Sequence, residues 1–222
     1  MTSRESAARN TGFIRQNRPA CRTLPDESGV SRVFVALKVS AELAAALLDL
    51  QAAVKRRLPA GAVRWSSRDQ LHLTLRFLGN VALARIPELT RALGEACRNT
   101  PVLRLAPGEF GAFPALDQPR VLWLGLGGDL AGLHQLQAQV AAASAGFGNH
   151  VEERDFHPHL TVGRMPTRGG GDPRAVGQAW SDARLGWHGE WDASVVSLVR
   201  SELEPGGAVY TDLGEFALSP RA

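Results

Sequence analysis

The tripeptide His-Leu-Thr occurs twice in this chain, as His72-Leu73-Thr74 and His159-Leu160-Thr161, each time inside an apolar, strand-like run. With six His, 29 Leu and nine Thr among 222 residues, chance placement gives about 0.03 copies. The repeat constrains the fold because strand side chains alternate with period 2. Each copy therefore sets an imidazole and a hydroxyl on one face and buries the leucine between them on the other. Two such strands facing each other require an internally repeated β framework with a polar cleft at its centre.

The runs around the motif support that architecture. Arg32 to Val39 reads as a strand, and Ser40 caps a helix running through Leu43, Leu47, Leu50 and Val54 to Leu58 before Pro59-Ala60-Gly61. Val63-Arg64-Trp65 is a short strand. Leu71 to Leu78 follows, with Leu71, Leu73, Leu75 and Phe77 on one face and His72, Thr74 and Arg76 on the other; Gly79-Asn80 ends it. A helix over about 84–98, strands at 102–105 and 121–126, and a Gly/Pro-rich connection over 107–119 come next.

Asp129 caps a helix to about Ala145, and the second motif lies in Phe156-His-Pro-His-Leu-Thr-Val-Gly-Arg164. A loop over 166–174, a short helix over 175–183 and two strands over 194–203 and 208–218 close the chain, with Pro205-Gly206-Gly207 as a hairpin turn. This order predicts an α+β domain over residues 31–222, duplicated, with two antiparallel sheets and helices outside. Residues 1–30, rich in Arg, Ser, Asn, Thr and Pro, read as a disordered basic leader.

Charge narrows the partners. The sequence pI of about 9.4 suggests a nucleic-acid binder. Yet residues 1–32 hold Arg4, Arg9, Arg15, Arg18, Arg22 and Arg32 against Glu5, Asp26 and Glu27, and residues 33–222 are balanced at 19 basic and 19 acidic side chains. If such a domain binds nucleic acid, it should grip one end or one nucleotide rather than a long backbone. The two cysteines, Cys21 and Cys97, frame neither a disulfide scaffold nor a metal knuckle and suit a reducing cytoplasm. No run has the length of a membrane span, and nothing near Met1 resembles a signal peptide.

Two imidazoles across a cleft, each beside a threonine, suit in-line displacement at phosphorus. One neutral ring takes a proton from water while one charged ring protonates the leaving oxygen. The hydroxyls and a cation hold the non-bridging oxygens, where charge accumulates. Arg164 and Arg76 are the candidate cations. Strict alternation places Arg164 on the wrong face, so it reaches the site only if the strand bends, as at Gly163. No carboxylate triplet or Cys cluster lies near either copy, so neither metal nor cofactor is expected. His157 shares parity with His159. It could contribute to a zinc site, but the nearby Arg opposes a cation, and orienting a loop or the second ring is the better reading. His134, His150 and His188 read as surface residues, and Phe34 is a candidate for stacking on a base.

His72-Leu-Thr74 with Arg-Phe-Leu-Gly79, and Phe156-His-Pro-His-Leu-Thr-Val-Gly-Arg164, resemble the paired motifs of the 2H phosphoesterase superfamily, and within it the RNA 2′,3′-cyclic phosphodiesterases, or 2′–5′ RNA ligase-like proteins. Arg32-Val-Phe-Val-Ala-Leu37, Val121-Leu-Trp-Leu-Gly125 and Val209-Tyr-Thr-Asp-Leu213 extend the resemblance over about residues 31–218. It implies a bilobal, pseudo-two-fold fold with the cleft between the lobes. It also implies metal-independent opening of RNA or nucleotide 2′,3′-cyclic phosphate ends to 2′-phosphomonoesters by a monomer. His72 would be the proton donor, His159 the proton acceptor, and Thr74, Thr161 and Arg164 the phosphate-binding residues. Reversal of the reaction to join RNA ends, and a non-catalytic RNA-end or nucleotide-binding module, are the alternatives.

Overall fold

A computed structural model describes residues 29–152, 154–167, 169, 171–204 and 207–221; most of the expected leader, Cys21 and the Pro205-Gly206 turn lie outside the described residues. The elements in chain order are β1 (Val30–Lys38), α1 (Ala41–Lys55), β2 (Arg64–Trp65), β3 (His72–Ala82), α2 (Ile86–Cys97), β4 (Leu103–Phe113) and β5 (Val121–Gly128). They continue with α3 (Leu130–Ala143), β6 (His159–Arg164), α4 (Pro173–Ser181), β7 (Trp191–Ala193), β8 (Val195–Glu204) and β9 (Gly207–Ala217).

The strands run in the order β7-β4-β5-β6-β3-β1-β8-β9, with β2 attached to β6, and all pairings between named strands are antiparallel. The two expected sheets, β7-β4-β5-β6 and β3-β1-β8-β9, join along a seam whose register pair is Leu73 with Leu160. These are the central residues of the two tripeptides, so the approximate two-fold axis passes between them. The repeat β1-α1-β3-α2 is matched by β5-α3-β6-α4. After each repeat the chain crosses over: β4 joins the second half and β8 the first. The lobes are thus interlocked.

Helix positions follow from apolar spacing. Ser40 Oγ accepts a hydrogen bond from the Leu43 amide at 3.2 Å and starts α1, which buries Leu43, Leu47, Leu50 and Val54. Asp129 caps α3 through the Gly132 amide at 2.9 Å, and α3 buries Leu133, Leu136 and Val140. Leu73 and Leu160 are 1% and 0% exposed. Leu160→Ala should lower unfolding free energy by roughly 2–5 kcal/mol, the range for a large-to-small core truncation. Leu203→Ala, at a side chain 76% exposed, should change it by less than about 0.5 kcal/mol. Urea unfolding of the two variants checks the contrast.

Several boundaries differ from the sequence reading. Gly79 does not end β3. It takes φ +69° within an irregular stretch, and the Leu78 carbonyl accepts from the Asn149 and His150 amides at 3.0 and 3.1 Å. Strand β4 continues through the Gly/Pro-rich stretch to Phe113, because a register shift between Pro107 and Phe110 accommodates the missing proline donor. Helix α1 ends at Lys55, where the Arg57 amide turns back tightly to Val54 O at 2.9 Å. The short β7 had no counterpart in the pattern. Among the described residues, no helix is long and apolar enough to cross a membrane.

Candidate active site

The motif strands depart from strict alternation at equivalent places. On β3, Thr74 pairs with Ala36 but Arg76 pairs with the next residue, Val35, leaving Leu75 as an extra residue. On β6, Thr161 pairs with Trp123 and Gly163 with Leu122, leaving Val162 as the extra residue. A β-bulge of this kind reverses parity beyond it. The fifth residue after each histidine therefore returns to the cleft face. After His159 that residue is Arg164, and after His72 it is Phe77; both line the cleft.

This resolves Arg164 and corrects two assignments on β3. The bend that brings Arg164 round is a bulge at Val162, next to the suspected Gly163. A Cβ on Gly163 would come within 2.6 Å of Val63 Cγ1, so glycine permits β2 to pack closely there. Phe77 is not core but 40% exposed at the cleft, with Leu78 buried in its place. Arg76 is not a site cation: its Nη1 donates to the Ala141 carbonyl on α3 at 2.9 Å.

His72, Thr74, His159, Thr161 and Arg164 line one cleft of about 500 Å³. Antiparallel register around Leu73 and Leu160 sets His72 opposite Thr161 and Thr74 opposite His159. All four side chains are half-buried. Each imidazole is tied to the carbonyl two residues before it. His159 Nδ1–H donates to His157 O at 2.7 Å, and the His72 ring hydrogen-bonds the Gln70 backbone. With Nδ1 of His159 so occupied, its Nε2 is left for the cleft.

Burial is the main force on both rings and favours the neutral form. It takes His72 down to about 4, against the Gln70 hydrogen bond, with Arg164 and then His159 adding to the depression. His159 is lowered too, chiefly by burial and then by the charges of His157 and Arg164, against its hydrogen bond to His157. Both imidazoles are therefore held toward the neutral form. A bound anion would shift both back toward the charged form.

Aromatic side chains fix the rings. Phe34 stacks on His72 at 4.8 Å between centroids and 25° between planes, and Tyr210 meets it edge-on at 5.4 Å. Phe34 is 2% exposed, so it braces His72 rather than offering a face to a base. Phe113 meets His159 edge-on at 5.1 Å, and Trp123 lies 6.1 Å from it. His157 supplies the carbonyl that orients His159, as the orienting reading expected, and its own ring is exposed beside Trp123. His134, His150 and His188 are exposed. Among the described residues no group of three His, Cys, Asp or Glu side chains converges as a metal site.

Among the cleft residues that the sequence does not mark as site residues are Arg32, Arg64 and Tyr210. Arg32 lies in β1, as the strand pattern from Arg32 implies, but only the fold brings it to the cleft. Arg64 lies between apolar Val63 and Trp65, a parity hint toward a polar face. Its register with Arg164 on β6 is a tertiary fact.

Two His–Thr pairs on the central strands of a duplicated antiparallel sheet, facing one cleft, define a 2H phosphoesterase. The chain belongs to the 2′-5′ RNA ligase superfamily, whose family model matches residues 49–203. An RNA 2′,3′-cyclic phosphodiesterase of Thermus thermophilus is 30% identical over 197 residues, covering 84% of this chain and 90% of the relative. One from Aquifex aeolicus is 29% identical over 156 residues, covering 70% and 81%. Among solved structures, TT0787 of Thermus thermophilus superposes with a TM-score of 0.69 at 27% identity, covering 86% of this chain and 100% of that one. Escherichia coli LigT complexed with 3′-AMP gives 0.65 at 27%, covering 86% and 99%.

Proposed function

We propose that this protein hydrolyses the 2′,3′-cyclic phosphate at the end of an RNA or small nucleotide to a 2′-phosphomonoester, without a metal. The observation that carries the reading is the seam, where the Leu73–Leu160 register pair brings the two His–Thr pairs together beside Arg164 in one cleft. The curated relatives named RNA 2′,3′-cyclic phosphodiesterase support the substrate class.

His159 is the proton acceptor. Its Nε2 takes a proton from water as the water oxygen bonds to phosphorus, in line with the P–O3′ bond. That bond breaks, and His72, the proton donor, gives its proton to O3′. The product carries a 2′-phosphate and a 3′-hydroxyl; His159 ends protonated and His72 neutral, and exchange with solvent resets them. Thr74, Thr161 and Arg164 hold the non-bridging oxygens as their charge grows.

His72 must enter this step charged although burial holds it neutral in the empty cleft. The cyclic phosphate supplies the remedy, because its negative charge opposes Arg164 and favours the imidazolium. Incubation of the protein with a 2′,3′-cyclic nucleotide in excess EDTA, followed by phosphorus NMR, tests the reading. The expected product is the 2′-phosphate alone. Accumulation of the 3′-phosphate, or activity abolished by EDTA and restored by a divalent ion, would overturn it.

A further inference from the structure

The two lobes differ at one equivalent place. On β1, Ala36 pairs with Thr74 on one side and with Ser197 of β8 on the other. On β5, Trp123 pairs with Thr161 on one side and with Gly111 of β4 on the other. In the second lobe the indole lies over the glycine, where an added Cβ would collide with it. The ring fills the space beside its His–Thr motif and is itself 7% exposed. In the first lobe two small side chains hold those positions, and a cavity of about 440 Å³ opens against both. Phe34, His72 and Tyr210 line this cavity and the cleft alike, so the two spaces adjoin at His72.

The chemistry of the cavity is neutral. Lys38 and Arg68 are balanced by Asp69 and Asp212, with Lys38 and Asp212 paired at 2.7 Å. Ser197 is 0% exposed, and its Oγ has no hydrogen-bond partner among the described residues. A buried hydroxyl left unpaired is costly unless a ligand supplies the partner. Such a space suits an uncharged ring with hydrogen-bonding atoms on its edge, and the second lobe packs a planar bicyclic ring at the matching position. We infer that the cavity takes the base of the penultimate nucleotide of an RNA 2′,3′-cyclic phosphate end. The inference rests on the cyclic-phosphate reading above. In that reading O3′ faces His72, and the ribose carbon bearing the 5′ arm is bonded to the carbon bearing O3′. The chain therefore leaves the terminal ribose beside His72, where the cavity begins. On the His159 side only a water has to enter, and there the indole closes the space.

The test compares kcat/KM for three substrates: a 2′,3′-cyclic mononucleotide, a cyclic-ended dinucleotide, and the same dinucleotide without its upstream base. The last two carry equal charge, so attraction to the backbone cancels in their ratio. The native protein should favour the intact dinucleotide over the abasic one by at least about fivefold, the lower end for one base seated against an aromatic side chain. Ala41→Trp, at an exposed position lining the cavity, should cut that ratio to below about twofold and leave the mononucleotide at the native rate. Ser197→Ala should lower the ratio by about two- to tenfold, the net worth of one hydrogen bond. It should melt no lower than the native protein, because the hydroxyl has no protein partner to lose. An abasic dinucleotide processed as fast as the intact one overturns the inference. So does an Ala41→Trp protein that keeps the native ratio. If the native protein turns over none of the three substrates, the cyclic-phosphate reading has failed and the inference falls with it.

Discussion

His72→Ala and His159→Ala should each lower kcat on a 2′,3′-cyclic nucleotide by about 10²–10⁴, the range for loss of a positioned general acid or base. The double variant should be little worse than the more damaging single one, because the proposed mechanism has the two rings act in one concerted step. Neither variant should unfold the protein, since both rings lie half-buried on the cleft face while Leu73 and Leu160 carry the seam. Rate measurements with circular dichroism melts check both points. The roles also differ in pH dependence. His72 sits at about 4 in the empty cleft, so above that value its charged fraction falls tenfold per pH unit. The profile of kcat/KM, which reports the free protein, should therefore decline as pH rises through neutrality. The kcat profile should extend to higher pH, because a bound anion raises His72. Full rate retained by either single variant would end the two-histidine mechanism.

Arg164→Gln should lower kcat/KM by about 10²–10³, the effect of removing one charge-stabilising donor from the transition state. Its second effect is diagnostic and has a fixed sign. Arg164 disfavours the imidazolium form of both His72 and His159, so removing the guanidinium raises both and moves the declining limb of kcat/KM to higher pH. Arg164→Lys should retain the native limb position while losing part of the rate, because lysine keeps the charge but not the planar fork. A limb that stays fixed or moves to lower pH in Arg164→Gln would show that Arg164 does not act on the two histidines.

Phe77 and Arg164 show where a sequence stops being readable. Both lie five residues beyond a motif histidine, and strict alternation assigns both to the buried face. A bulge at Leu75 and another at Val162 return them to the cleft. The two extra residues look like ordinary apolar strand residues. They become bulges because β1 and β5, on the neighbouring sides, pair with one residue fewer. Arg76 fails for the complementary reason: polar in a strand pattern, it belongs to α3 once the helix lies beneath β3. Arg64 gains significance only from its register with Arg164, 100 residues later. Because the bulges are equivalent, the symmetric framework presents a cation at one end and an aromatic ring at the other. That gives the cleft a direction and its two histidines unlike surroundings.

The sequence by itself determined which side chains meet in the candidate site. Residues two apart on a strand share a face whatever the rest of the chain does, so each repeated tripeptide guaranteed an imidazole beside a hydroxyl, and the apolar spacing placed the helices. Tertiary structure decided how the repeats meet. It joined the halves at the Leu73–Leu160 pair, crossed β4 and β8 between them, and turned Arg164 and Phe77 inward. It also gathered three arginines at the cleft of a charge-balanced domain and buried His72 so that its neutral form is favoured. Pairing register and desolvation are properties of chain segments far apart in sequence, and no local pattern encodes them.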